Sequence, residues 1–134
     1  MSVSFGYTIF YVPDVAAALK FYTTAFGLEQ RLLTPENDYG ELATGDTVLA
    51  FVAHELAAAN LDAAGGFTQL DPTAAPVAAS ITLVTSDVAA MCDAAIAAGA
   101  RSYVAPVEKP WGQTVAYLID PAGILLELAT PINS

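Results

Sequence analysis

An α+β fold of two βαβββ modules is what the sequence predicts, and three observations carry the prediction. A β-branched and aromatic run, Tyr7 to Val12, is followed past Pro13 by Asp14 and an apolar helical pattern; Ser80 to Thr85 is followed past Ser86 by Asp87 and another. The offset is 73 residues both times (7 to 80, 14 to 87), and an internal repeat decides architecture before any single element does. After each helical pattern come three short strand candidates set off by turn residues. Four strands and one helix leave the sheet face away from the helix bare. Two such modules therefore pair into a curved mixed sheet with an inner cleft, the usual place for a ligand.

In the first module the helix carries Val15, Leu19, Tyr22 and Phe26 at 4-3-4 spacing on one face, with Asp14 as N-cap and Gly27 as stop. Strands are expected at 29–33, 38–43 and 47–53, punctuated by Pro35-Glu36-Asn37 and Gly45-Asp46. In the second module the helix carries Val88, Met91, Cys92 and Ala95, capped by Asp87 and stopped by Gly99. Cys92 falls where the first helix has Leu19 and is read as a small core hydrophobe. Strands follow at 101–107, 113–119 and 124–129, separated by Lys109-Pro110-Trp111-Gly112 and Asp120-Pro121-Ala122-Gly123. Residues 1–54 make module 1, 77–134 module 2, and 55–76 an alanine-rich joint, a short helix plus a flexible piece around Gly65-Gly66 and Pro72. Together they form a single domain. A joint of this length usually serves as a lid, a linker or an oligomer contact.

Composition narrows the function. With 4 basic against 14 acidic side chains and a net charge of −10, nucleic acid and anionic membranes are disfavoured partners, whereas cationic ligands are allowed. The longest uncharged run, Pro72 to Ser86, holds two prolines and several hydroxyls and is no membrane span. No Lys or Arg occurs in the first thirteen residues, so no secretory signal is expected; the single cysteine cannot form an internal bridge, and a cytoplasmic location follows as the expectation.

Val12-Pro13-Asp14, Phe21-Tyr22, Phe26-Gly27-Leu28, Trp111-Gly112-Gln113 and the run Tyr117 to Leu128 with its Asp-Pro-Ala-Gly turn, in this order and on this repeat, resemble the glyoxalase/bleomycin-resistance family of the vicinal-oxygen-chelate superfamily. The resemblance implies the glyoxalase/bleomycin-resistance fold, a homodimer, and a ligand cleft in the sheet concavity. It does not imply one reaction, because this scaffold hosts lyases, isomerases, dioxygenases, thiol transferases and drug-sequestering proteins. Metal-using members grip their ion through four inward side chains, one from the first and one from the last strand of each module. Those positions here are Tyr7, Ala50, Ser80 and Glu127. A divalent site needs three or four nitrogen or oxygen donors, and a methyl, a neutral phenol and a hydroxyl do not supply them. No metal and no other cofactor is expected, and metal-dependent glyoxalase, dioxygenase and fosfomycin chemistry are disfavoured.

With those four positions placed inward, strand alternation puts Tyr7, Ile9, Tyr11, Val48, Ala50, Val52, His54, Ser80, Thr82, Val84, Leu125, Glu127 and Ala129 in the cleft. Of these, Tyr7, Ile9, Tyr11, Ala50, Val52, His54, Ser80, Thr82 and Glu127, with Trp111 on the loop before the seventh strand, are the ligand-binding candidates. The opposite parity, among it Phe10, Leu49, Phe51, Ile81, Leu83, Leu126 and Leu128, packs on the helices. Glu127 either pairs a ligand cation or acts as a general base, or it merely accepts hydrogen bonds from Tyr7, Ser80 or water. His54 is expected at the surface end of the fourth strand, two pleats from Ala50. Tyr103 and Tyr117 read as ordinary strand aromatics, with an inward orientation of either as the lesser alternative, and Arg101 as solvated, with capture of a ligand carboxylate as its alternative.

Two functions remain. The first is metal-independent sequestration of a hydrophobic or cationic small organic ligand by a cytoplasmic homodimer, as in bleomycin resistance. The alternative is a lyase or isomerase with Glu127 as catalytic base and Tyr7 or His54 as proton donor.

Overall fold

In each module one hydrogen bond at the start of the helix that follows its first strand fixes the chain's path from strand to helix. The Asp14 carboxylate accepts from the Ala17 N–H at 3.0 Å, and Asp87 accepts from Ala90 at 3.0 Å, each satisfying an amide that the first helical turn leaves open. The computed structural model describes residues 2–132. Its elements run β1 (Tyr7–Val12), α1 (Val15–Phe26), β2 (Glu29–Leu33), β3 (Tyr39–Ala43), β4 (Val48–Ala53), α2 (His54–Leu61), a 3-10 turn (Asp62–Ala64), β5 (Ile81–Val84), α3 (Val88–Ala97), β6 (Arg101–Glu108), β7 (Thr114–Ile119) and β8 (Leu125–Ala129). The chain divides into two compact units, one ending at Gln69 and the other beginning at Leu70.

In module 1 the sheet order is β1-β4-β3-β2, with β1 and β4 parallel and the other pairs antiparallel. Helix α1 covers one face: Val15, Leu19 and Tyr22 are buried with Leu42 and Phe51, and the Tyr22 and Phe51 rings stack at 5.5 Å. Contact is close because β3 offers a glycine. A Cβ on Gly40 would stand 2.7 Å from Leu19 Cδ1 and 2.9 Å from Val15 Cγ1.

Module 2 repeats the plan, with order β5-β8-β7-β6 and β5 parallel to β8. Val88, Cys92 and Ala95 of α3 are buried, as are Leu118, Ile119, Leu126 and Leu128. Burial pushes the Cys92 thiol up, in keeping with a core residue. The β7–β8 turn is held by the buried Asp120, whose Oδ1 accepts from the amides of Ala122, Gly123 and Ile124, each at 2.9 Å. Gly123 has φ 104°, and a Cβ there would meet the Asp71–Pro72 backbone at 3.0 Å, so glycine is required twice over.

Three expectations need correction. His54 is not a strand residue: β4 ends at Ala53, and the helix-forming run His-Glu-Leu-Ala-Ala-Ala-Asn-Leu starts at His54 with Glu55 in its first turn. Ser80 is exposed and lies outside β5, whose ladder to β8 starts at Ile81 opposite Leu126. Arg101 is not free in solvent. Its guanidinium donates to the carbonyls of Pro72 and Ala74 at 2.7 and 3.1 Å, tying the end of the joint to the start of β6. Among the described residues no helix is long and apolar enough to cross a membrane.

Candidate functional site

Each sheet presents one face to its helix and one away from it, and equivalent rows on the two open faces differ in chemistry. In module 1 the row reads Ile9, Ala50, Glu41 across β1, β4 and β3. In module 2 it reads Thr82, Glu127, Tyr117 across β5, β8 and β7.

The module 2 row is a linked set of polar groups. Glu127 Oε1 accepts from the Thr82 hydroxyl at 2.6 Å and Oε2 from the Tyr117 hydroxyl at 2.7 Å. Thus neither Tyr7 nor Ser80, the donors expected from the sequence, is needed to hold this carboxylate. The hydrogen bond to Glu127, with burial, raises the Tyr117 pKa, so the phenol keeps its proton and remains a donor. Glu127 itself is half-buried and opens into a pocket of about 630 Å³, also lined by Val84, Val115, Ala129, Lys109 and Trp111.

Trp111 is 65% exposed, yet its polar edge is already used. The indole N–H donates to Gln113 Oε1 at 2.7 Å, and the Gln113 amide donates to the Thr130 carbonyl at 2.8 Å. The ring is therefore braced, with its apolar faces left for a visitor. Of the candidates, Thr82, Trp111 and Glu127 come together here, whereas Ser80 does not.

On module 1, Tyr7, Ile9, Tyr11, Ala50 and Val52 do share the open face; Tyr7 is 57% exposed, and Ala50 and Val52 are buried. The carboxylate there is Glu41, only 8% exposed, which accepts from the Tyr39 hydroxyl at 2.5 Å and meets Arg31 Nε at 3.5 Å. Burial first, then the bond to Glu41, pushes the Tyr39 phenol up to about 12. His54 stands apart from this row, its ring 5.7 Å from that of Phe67, which in turn packs edge-on against Tyr11 at 5.0 Å.

Two participants lie outside the sequence-derived candidates. Tyr117 faces Glu127 because the Asp120–Gly123 turn sets Ile119 opposite Leu125, so counting two residues each way gives the pair; that signal was present. Glu41 would have needed the β3–β4 register, which Leu42 opposite Leu49 supplies.

The donors at the four family metal positions are one carboxylate, one phenol and one hydroxyl, with a methyl at Ala50. They do not fit a divalent ion, and among the described residues no group of three His, Cys, Asp or Glu is placed to hold one.

A profile of the Glyoxalase/Bleomycin resistance protein/Dioxygenase superfamily matches residues 4–128. Among solved structures, a glyoxalase/bleomycin resistance protein/dioxygenase family enzyme from Burkholderia phytofirmans PsJN is 22% identical, covers 96% of this chain and 98% of its own, and superposes with TM-score 0.77. Lactoylglutathione lyase from Agrobacterium tumefaciens is 21% identical over 96% and 94%, with TM-score 0.64. TioX from Micromonospora sp. ML1 is 20% identical over 96% and 98%, also at 0.64. No curated protein matches. At these identities the structural likeness establishes the fold alone.

Proposed function

The chain belongs to the Glyoxalase/Bleomycin resistance protein/Dioxygenase superfamily, and we propose that within it this protein is a metal-independent binder that sequesters a hydrophobic or cationic organic molecule in the module 2 concavity. One observation carries the reading. Glu127, half-buried in an open pocket, has both oxygens held by uncharged hydroxyls, so its charge is oriented and not neutralised. An incoming ammonium or amidinium gains a charge-assisted hydrogen bond there, while Trp111 offers a flat surface to its body. Under this reading the protein acts as a cytoplasmic homodimer and protects the cell from a drug-like compound.

Calorimetric titration with a panel of aromatic cations and glycopeptide drugs tests the proposal. Saturable binding that Glu127→Gln weakens by about tenfold or more is the expected result, the order of one charged hydrogen bond. A folded protein that gives no binding heat across the panel refutes it.

The Tyr117–Glu127 pair also supports a second reading, a lyase or isomerase in which Glu127 takes a proton from carbon and Tyr117 supplies one to oxygen. That reading expects Glu127→Gln to abolish turnover while leaving affinity nearly unchanged. The two outcomes of one substitution separate the readings.

A further inference from the structure

The open face of module 2 changes character along its strands. The row Thr82, Glu127 and Tyr117 carries the charge. Two residues further along each strand the row is Val84, Ala129 and Val115, entirely apolar, and Val84 is 64% exposed. Two residues further again on that side of β7 stands Gln113, whose carbonyl accepts from the Lys109 N–H at 2.7 Å across the β6–β7 connection. All three levels line one pocket, with Lys109 and Trp111 at the far end from Glu127.

Lys109 is the base available at that end. The chain has four basic side chains, of which Arg31 meets Glu41, Arg101 is engaged by the Pro72 and Ala74 carbonyls, and Lys20 is exposed on α1. Lys109 has no carboxylate within ion-pair distance among the described residues, yet it is half-buried in the pocket lining. Lysine is mostly exposed in folded chains because its ammonium is strongly hydrated, so a half-buried one without a counter-ion is suited to receive one. Its backbone is locked in place: the Lys109 carbonyl accepts from the Gly112 N–H at 2.9 Å, and Gly112 takes a left-handed φ of 100° that reverses the chain.

Rows two residues apart lie about 7 Å apart along a strand, so the Glu127 and Lys109 levels are about 14 Å apart, and the flexible lysine stem brings the two charges to roughly 10 Å. At about a Debye length they do not neutralise one another. Opposite charges at the two ends of an apolar floor define the complementary molecule.

We propose that this pocket takes a linear zwitterionic amphiphile, an organic ammonium and an organic carboxylate about 10 Å apart on one apolar chain, with Lys109 as the residue that selects for the carboxylate. The ammonium donates to Glu127, the chain lies on Val84, Val115 and the Trp111 ring, and the carboxylate accepts from Lys109. This rests on the reading above, in which Glu127 receives a ligand cation, and adds to it a second charged contact.

Calorimetric titration of the full chain with 8-aminooctanoate and with octylamine, which keeps the ammonium and lacks the carboxylate, tests the assignment. Lys109→Met, which keeps an apolar stem, should weaken 8-aminooctanoate about fivefold, the order of one partly exposed ion pair, and leave octylamine unchanged. Glu127→Gln should weaken both. Lys20→Gln removes the same charge from module 1 and should alter neither. Equal losses for the two ligands in Lys109→Met would make Lys109 a packing residue and overturn the proposal, as would unchanged 8-aminooctanoate affinity in that variant, or a loss in Lys20→Gln as large as in Lys109→Met, which is the mark of diffuse attraction. In each of those outcomes Glu127-dependent binding of octylamine keeps the cation reading standing. Absence of binding heat for both ligands overturns the two together.

Discussion

On the open face of module 1 the carboxylate belongs to Glu41 on β3, buried and shared between the Tyr39 hydroxyl and the Arg31 guanidinium; on module 2 it belongs to Glu127 on β8, half-buried and held by the hydroxyls of Thr82 and Tyr117. The scaffold is the same and the carboxylate has moved by one strand. In moving it has exchanged a guanidinium contact for hydrogen bonds from neutral hydroxyls alone. A carboxylate paired within its own module is a structural element, whereas one that is oriented but still charged, in a pocket, is available to something arriving from outside. Volume is redistributed between the modules as well. Leu19 on α1 lies over Gly40 on β3, whereas the matching positions hold Cys92 on α3 and Ala116 on β7, a smaller helix residue with a larger strand one, all of them buried.

The largest expected effect concerns that packing exchange. Gly40→Ala drives a methyl into Leu19 and Val15 and should lower stability by about 1–3 kcal/mol in urea unfolding. Adding Leu19→Cys, the module 2 solution, should recover part of the loss; a double variant no better than the sum of its parts would show that the two modules are not exchanging volume at these positions. Next comes the carboxylate comparison. Glu41→Ala leaves the partly buried Tyr39 hydroxyl without its acceptor and should cost about 1–2 kcal/mol, whereas Glu127→Ala, in an open pocket, should cost less than half as much. Equal losses would erase the distinction drawn between them.

A smaller effect is expected at high pH. The Tyr39 phenol ionises near its ordinary value of 10.0 in the unfolded chain and at about 12 in the folded one, so its contribution to stability is complete below pH 10 and is lost as the pH climbs through about 12. Glu41→Gln should pull this tyrosine's spectroscopic titration downward, and an unmoved titration would deny Glu41 its part in the shift. The smallest effect is predicted for Gln113→Leu. It frees the Trp111 indole, lowering its fluorescence anisotropy while changing stability by no more than about 0.5 kcal/mol. Unchanged anisotropy would mean that Gln113 does not brace the ring.

The repeat, the capped helices and the strands were legible because they depend on local chemistry. Asp14 and Asp87 announce helix starts, and β-branched runs announce strands. Strand ends were less so. His54 was expected on a strand because its side-chain parity continued, but helix propensity in the alanine run that follows took over, and no alternation pattern encodes that competition. Ser80 was expected inward because the offset of 73 makes it equivalent to Tyr7, yet the β5 ladder starts one residue later, at Ile81 opposite Leu126. Glu127 itself could be picked out as the one strong ligand among the four positions. Its actual donors could not be picked out from strand position alone, because Tyr117 reaches it through hairpin register and Thr82 through a parallel pairing across 45 residues of chain.

Trp111 is the sole tryptophan and lines the pocket that contains Glu127, so its emission reports directly on what binds there. Titrating benzyltrimethylammonium into the wild-type chain should give a saturable change in Trp111 fluorescence, with the midpoint moved to about tenfold higher concentration in Glu127→Gln and left in place by Glu41→Gln. Superimposable curves for wild type and Glu127→Gln would contradict the assignment of the cation-receiving role to Glu127.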